Sequence, residues 1–205
     1  MPLITLEHPL AHHVLARLRD KTTEPAQFRV LCHQISLLLL LEATRDVATQ
    51  PTAVETPLES HLGRTLAQRL VAVPILRAGL GMLQPIVDTF PVVSVGYIGL
   101  ERDHATARAR SYYCKLPPLE GARVLLVDPM LATGGSAVQA LEVIRQHGGK
   151  DVCVLNIVAA PEGVKAVQEA FPDVRIFTGA LDRELNARKY ILPGLGDFGD
   201  RLYGT

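Results

Sequence analysis

Residues 123–140 read RVLLVDPMLATGGSAVQA, and the reading of this stretch decides the fold. Val124, Leu125, Leu126 and Val127 form a continuous apolar run, too short for a helix and of the right length for a strand buried on both faces. Asp128 puts a carboxylate at the C-terminal end of that strand. Pro129 biases Asp128 toward an extended conformation and removes one backbone donor, so the chain must turn here. Ala132, Thr133, Gly134, Gly135 and Ser136 follow, small residues of which two accept positive φ, and they lead into Val138, Leu141, Val143 and Ile144 at helical spacing. The stretch is a strand, a tight loop and a helix N-terminus.

Such a loop suits an anion. Backbone N–H groups without bulky Cβ atoms can converge on a phosphate, and the helix dipole adds roughly half a positive charge at that end. Thr133 and Ser136 add hydroxyl donors. Asp128, just upstream, repels phosphate and should face a neutral polar group such as a sugar hydroxyl, for which an ionised carboxylate is a strong acceptor. Phosphate plus ribose is the implied ligand; an ordinary strand-to-helix turn with an Asp at its start is the plain alternative.

The segment VLLVDPMLATGGSA resembles the phosphoribosyl pyrophosphate (PRPP) motif of type I phosphoribosyltransferases, and DPMLATGGS is similar to the wording of the uracil phosphoribosyltransferase family. The resemblance implies that Asp128, Pro129, Met130, Leu131, Ala132, Thr133, Gly134, Gly135 and Ser136 bind PRPP. Many relatives in the wider superfamily carry two adjacent acids here; this chain has Asp128 followed by Pro129, so any magnesium must find other ligands.

The chain has 205 residues, 48% hydrophobic and 20% charged, which fits one α/β domain over residues 1–205 able to build its own core. Lys plus Arg and Asp plus Glu balance at 21 each, so no global charge draws the protein to nucleic acid or to an anionic membrane. The three cysteines, Cys32, Cys114 and Cys153, lack metal-ligand spacing and read as reduced thiols of a cytoplasmic protein, with Cys32 and Cys153 in the core. The N-terminus MPLITLEHPL has no basic stretch before an apolar signal core, and Leu37–Leu41 is far shorter than a membrane span.

Val14, Leu15 and Leu18 suggest a first helix closed before Lys21. Thr23 is expected to cap a second, long helix with Pro25 in its first turn and Phe28, Leu31, Cys32, Ile35, Leu38 and Leu39 along its buried side. Glu42-Ala43-Thr44-Arg45-Asp46 reads as a helix end with compensating charges, and Ala53 to Thr56 as an edge strand. From Leu70 strands and helices alternate: strands at 70–75, 92–98, 124–127, 152–158 and 174–177, with helices at 80–87, from the loop to 146, and 162–170. The alternation argues for a parallel sheet flanked by helices, with ligands outside the C-terminal strand ends. The interval Gly99 to Pro117 is charged and aperiodic, as in loops that serve as active-site lids. The tail formally contains G-x-G-x-x-G at Gly194, Gly196 and Gly199, but without the strand and helix that a dinucleotide site requires.

Val73-Pro74-Ile75-Leu76-Arg77-Ala78-Gly79 places Arg77 directly after a strand among small residues. A guanidinium there can bind phosphate oxygens through paired donors. PILRAGLGM is similar to the pyrophosphate loop of the same family, and Arg102 stands in a segment similar to the one whose arginine meets PRPP. Tyr190 to Arg201, YILPGLGDFGDR, resembles the family's uracil-recognition segment, which assigns base contacts to Ile191, Gly196, Asp197 and Phe198. Uracil offers two carbonyl acceptors and two N–H donors, so a loop presenting backbone groups can read it, and cytosine would leave buried partners unpaired. Phe198, where many relatives have alanine, bears on the shape of the base pocket. Of the seven histidines, His8 and His13 match family positions, with packing or helix-end roles.

Taken over most of the chain, the resemblance implies a type I phosphoribosyltransferase fold with a small hood built from N- and C-terminal segments. The implied reaction joins uracil and PRPP to give UMP and pyrophosphate, with Mg²⁺ carried in on PRPP. Arg77, Asp128 and Asp197 are the catalytic set, Asp197 either as the base for uracil N1 or as an outer ligand of Mg²⁺. It further implies a homodimer or higher homo-oligomer and, in some members, activation by GTP. Three rivals make different predictions. A nucleotide-sensing RNA-binding regulator on the same fold would need a basic face; a phosphoribosyltransferase for another base, a purine or orotate, would need a different base site, with an extra cation for orotate, for which the tail offers Arg201; and a non-catalytic subunit would have no need to retain Arg77, Asp128 and the loop glycines.

Overall fold

The apolar run at 124–127 lies where its burial on both faces requires, in the interior of a central sheet. The structure is a computed structural model describing the backbone of residues 3–102 and 109–205; the side chains of residues 101–111 fall outside the description. The chain opens with β1 (Leu3–Thr5), α1 (Pro9–Arg19), α2 (Pro25–Ala43) and the strands β2 (Thr49–Glu55) and β3 (Ser60–Leu66). The alternating part runs β4 (Leu70–Leu76), α3 (Leu80–Thr89), β5 (Ser94–Val95), β6 (Tyr97–Arg102), β7 (Ala109–Lys115), β8 (Arg123–Val127), β9 (Met130–Leu131), α4 (Gly135–Gln146), β10 (Asp151–Ala159), α5 (Pro161–Ala170) and β11 (Arg175–Leu181). The tail adds β12 (Glu184–Leu185), β13 (Ile191–Leu192) and the short α6 (Phe198–Tyr203).

The main sheet has the order β1-β11-β10-β8-β4-β6-β7, with β5 beside β4 and β9 beside β10. Its pairs are parallel except β6 with β7. Alternate residues serve opposite faces, as the period of a strand dictates. Ala72, Leu125, Val127, Cys153 and Leu155 join the cluster formed with α1, α2 and α3, while Val71, Val73, Val124, Leu126 and Val154 join the cluster formed with α4 and α5. The order reverses between β4 and β8, because β4 is followed by strands on one side and β8 by strands on the other. In open α/β sheets the crevice at the carboxyl ends of such a pair is where ligands bind.

Local chemistry accounts for the element ends, with several departures from expectation. His8 caps α1, its Nδ1 accepting from the Leu10 N–H at 3.1 Å. Thr23 does not cap α2: its hydroxyl instead donates to the Arg17 carbonyl at 2.7 Å, closing the α1–α2 turn, and Glu24 holds the cap position. The expected edge strand at 53–56 is one arm of the exposed β2–β3 hairpin, neither arm of which has a buried face to leave an apolar signature. The single strand expected at 92–98 is broken. The Ala72 carbonyl accepts from Gly96 N–H at 3.0 Å, and two residues on, Pro74 has no N–H to continue that ladder. The interval Gly99–Pro117 is less irregular than expected, since β6 and β7 form an antiparallel pair across it with a register shift at Gly99/Leu100; its members Asp103 and Arg108 lie outside the described residues. Finally, the strand expected at 174–177 extends to Leu181, carrying the chain to the same sheet end as Asp128.

At the opposite end of the sheet, Asp46 of the expected helix-end segment bridges two cations. Arg123, 5% exposed, donates to Asp46, Asp151 and the Ala43 carbonyl, and Arg175 donates to the other Asp46 oxygen. These hydrogen bonds hold the Asp46 carboxyl down at about 2, chiefly through Arg123, against the cost of desolvation. No helix among the described residues is long and apolar enough to cross a membrane.

Candidate active site

Arg77 follows β4 and Asp128 follows β8, and because Pro74 is paired with Val127 in adjacent parallel strands, both residues open onto the switch-point crevice. Arg77 is exposed, and the Leu76–Arg77 peptide bond is cis. Asp128 is half-buried. Burial pushes its carboxyl up to about 7, only partly offset by the Met130 N–H that it accepts. Behind it, the fully buried Asn156 of β10 donates from Nδ2 to the Asp128 carbonyl at 2.5 Å. The Asn156 Oδ1 has no partner among the described residues.

The expected anion loop is built in two parts. Pro129, Met130 and Leu131 do not lie free in it: the Pro129 carbonyl accepts from Ile157 and Val158, and Met130 and Leu131 pair with β10 as β9. The Leu131 side chain is in the core at 1% exposure. The turn itself is Ala132 to Gly134, and α4 begins at Gly135 with Gly134 as its cap. Thr133, Gly135 and Ser136 are exposed, and the first-turn N–H groups of a helix lack intrahelical partners. Gly134 has φ +82°, and a Cβ there would meet Ala166 Cβ and the Gly163 carbonyl, both at 2.8 Å. The turn is thus pressed against α5, which holds it in place.

The tail meets Arg77 from the other side. Asp197 caps α6, its Oδ1 accepting from Asp200 N–H at 3.0 Å. With Arg77, Ala78, Gly199, Asp200, Tyr203 and Thr205 it lines a cavity of about 310 Å³. Tyr203 Oη donates to the Arg77 carbonyl at 3.4 Å. Gly196, with φ +77°, is exposed at the turn; Ile191 is buried and pairs with Leu185. A larger cavity of about 510 Å³ lies between α1 and β11, lined among others by Thr5, His12 and Arg19. It contains none of the sequence-derived site residues, so chemistry rather than volume selects the smaller one.

Two large side chains of the tail are engaged away from the cavity with Arg77. The Phe198 ring, 3% exposed, stands edge-on to Phe28 with centroids 5.2 Å apart, because the first turn of α6 must bury its apolar residue against α2. Arg201 is not a spare cation near the base. Its guanidinium donates to the Leu18, Leu195 and Asp20 carbonyls and lies 4.4 Å over the Phe28 ring. The structure places Arg102 at the end of β6, with its side chain outside the described residues.

Sequence reasoning missed Arg19 and Asp182. Asp182 comes directly after β11, at the same sheet end as Asp128, and that position was the only signal available for it. Its buried carboxylate accepts from Arg19 at 2.9 and 2.6 Å and from Gly194 N–H at 2.9 Å. The N-terminal helices and the tail are thereby tied together over the sheet, as a hood built from both chain ends requires. For a metal, no group of three or more His, Cys, Asp or Glu side chains converges among the described residues. Asp197 and Asp200 nonetheless share the cavity with Arg77. Two carboxylates fit Mg²⁺, which keeps most of its waters and is commonly held by one or two acids together with substrate phosphates.

A sequence model described as uracil phosphoribosyltransferase matches residues 4–205. A uracil phosphoribosyltransferase of Symbiobacterium thermophilum is 52% identical over 205 residues, covering 99% of this chain and 98% of its own. One of Roseiflexus castenholzii is 52% identical over 200 residues, covering 97% and 96%. Among solved structures, a protein of Aquifex aeolicus superposes with a TM-score of 0.94 at 38% identity, covering 100% of this chain and 99% of that one. A hypoxanthine-guanine phosphoribosyltransferase of Bacillus anthracis, at 12% identity and a TM-score of 0.54 over 77% of this chain and 80% of its own, shares the fold.

Proposed function

Since the chain belongs to the uracil phosphoribosyltransferase family, its reaction is transfer of the 5-phosphoribosyl group of PRPP to N1 of uracil, and we propose the following division of labour among its residues. The observation that carries it is the shared cavity at the switch point, where Arg77 from a strand end and Asp197 from the tail face one another.

The exposed Thr133, Gly135 and Ser136, with the α4 N-terminus, hold the 5′-phosphate. Asp128 accepts from the ribose hydroxyls. Arg77 meets the pyrophosphate through its paired donors, joined by Arg102. Backbone groups of Ile191, Gly196, Asp197 and Phe198 read the edge of uracil and set N1 against C1′, so that binding energy is used for alignment. As the bond from C1′ to the pyrophosphate oxygen breaks, positive charge develops on the sugar and negative charge on the leaving group, which the Arg77 guanidinium opposes. Mg²⁺ bound with PRPP would add charge neutralisation at that group, with Asp197 and Asp200 as the acids that face it. The second carboxylate oxygen of Asp197, not used in capping α6, takes the N1 proton of uracil or holds a water of that ion. The arrangement acts as one phosphoribosyltransferase domain over residues 1–205, in a cytoplasmic homodimer or higher homo-oligomer, and GTP as an activator completes the family picture.

The test is pyrophosphate release from PRPP with uracil, cytosine, orotate, adenine and hypoxanthine side by side, for wild type and Asp197→Asn. Asparagine caps a helix about as well as aspartate, so the variant removes charge and leaves α6 intact. Uracil is expected to be the active base. The variant is expected to lose kcat while keeping its PRPP affinity; unchanged kcat removes Asp197 from the catalytic set.

A further inference from the structure

The turn that precedes Gly196 and Asp197 is held from outside the tail. Gly194 has φ +62°, and a Cβ there would lie 2.2 Å from the Ile191 carbonyl oxygen, so only glycine fits. Both of its backbone groups are taken by one ion pair: its N–H donates to Asp182 Oδ2 at 2.9 Å, and its carbonyl accepts from Arg19 Nη1 at 3.0 Å. The pair itself is bidentate, and its side chains are 4% exposed at Asp182 and 26% at Arg19. Arg201 fastens the next residue, donating to the Leu195 carbonyl as well as to those of Leu18 and Asp20, the residues on either side of Arg19.

We propose that Asp182 and Arg19 are positioning residues for the base: together they lock the backbone of Gly194 and so fix where the following turn presents its groups to uracil. The inference rests on the functional reading above. A buried ion pair is weak evidence for stability, because desolvating two charges offsets most of their attraction. What this pair does supply is orientation. It joins α1, the end of β11 and the tail, and it clamps the peptide groups on both sides of one residue, two positions before Gly196. A base read through backbone hydrogen bonds tolerates little displacement, since each mismatched partner is left unpaired. Neither side chain lines the cavity with Arg77, so their effect on uracil runs through Gly194.

The experiment uses the full chain and separates the two substrates. Asp182→Asn keeps an oxygen for the Gly194 N–H but breaks the ion pair. It is expected to raise KM for uracil about tenfold or more while KM for PRPP stays within about twofold, and to narrow the preference for uracil over cytosine. Arg19→Lys keeps the charge but loses the fork that spans Asp182 and the Gly194 carbonyl. It should show the same split in milder form, and it carries the test alone if Asp182→Asn does not fold. Equal rises in both KM values, or an unchanged uracil KM in a folded variant, overturn the proposal. Absence of uracil-dependent pyrophosphate release in the wild-type chain overturns instead the functional reading on which it rests.

Discussion

Replacing Asp128 with asparagine should make the protein more stable and less active, with a gain in stability that grows with pH. Burial raises the Asp128 carboxyl from 3.8 to about 7. An acid whose folded value exceeds its unfolded value stabilises the fold only while protonated. Below pH 3.8 both states hold the proton and nothing is lost. Between 3.8 and about 7 the folded chain holds one proton more than the unfolded chain, so stability falls by about 1.4 kcal/mol per pH unit. Above about 7 the full cost is present, roughly 4 kcal/mol for a displacement of about 3 pH units. The Asp128→Asn side chain has no proton to lose and retains an oxygen for the Met130 N–H. Urea denaturation of both proteins at pH 5, 6, 7 and 8 should show the variant gaining about 3 kcal/mol on wild type across that range, with the change levelling off above pH 7. Turnover should fall by about tenfold or more as a charge-assisted hydrogen bond to ribose becomes a neutral one. A stability difference that stays flat from pH 5 to 8 refutes the reasoning, because no protonation at Asp128 would then be coupled to folding.

Gly134→Ala forces a Cβ into φ +82° and to within 2.8 Å of Ala166 and Gly163; a loss of about 2 kcal/mol and weaker PRPP binding are expected, read by denaturation and by titration calorimetry. Phe198→Ala removes the edge-on contact with Phe28 and should cost about 3 kcal/mol, with the ratio of uracil to cytosine activity unchanged; a changed ratio would return the ring to the base pocket. Arg123→Met leaves Asp46 and Asp151 without their shared buried cation, so a folded variant should denature at lower urea while both KM values hold.

The residues legible in the sequence are those whose role depends on their neighbours in the chain. A four-residue apolar run needs two covered faces, and a carboxylate or guanidinium at the end of such a run must emerge at the sheet's carboxyl edge. Asp128 and Arg77 were placed by that logic, and so was the loop from Thr133 to Ser136, where small residues before a helical pattern leave backbone donors free. Of the β2–β3 hairpin only the Ala53–Thr56 run, stopped by Pro57, is legible, because both arms are exposed on both faces and neither has a hydrophobic period to read. The place of the Phe198 ring is left open by the sequence, since one aromatic in a glycine-rich tail has no local signature separating a pocket wall from an anchor. Only burial against Phe28, far away in sequence, decides between them.

The sequence by itself therefore determined the parallel α/β layering, the tight strand-to-helix turn at 132–135 and the acid at the end of the strand before it, all of which follow from periodicity and from the conformational limits of Gly and Pro. Tertiary structure alone decided which distant charges meet. Arg19 and Asp182 are 163 residues apart, and neither has a local pattern that names its partner. The same holds for Arg201, which packing turned from a free cation into a bracket on three carbonyls. A charged side chain carries its chemistry in its own atoms, but what it holds depends on the groups that the fold brings within about 3 Å of it, and that is a property of the whole chain.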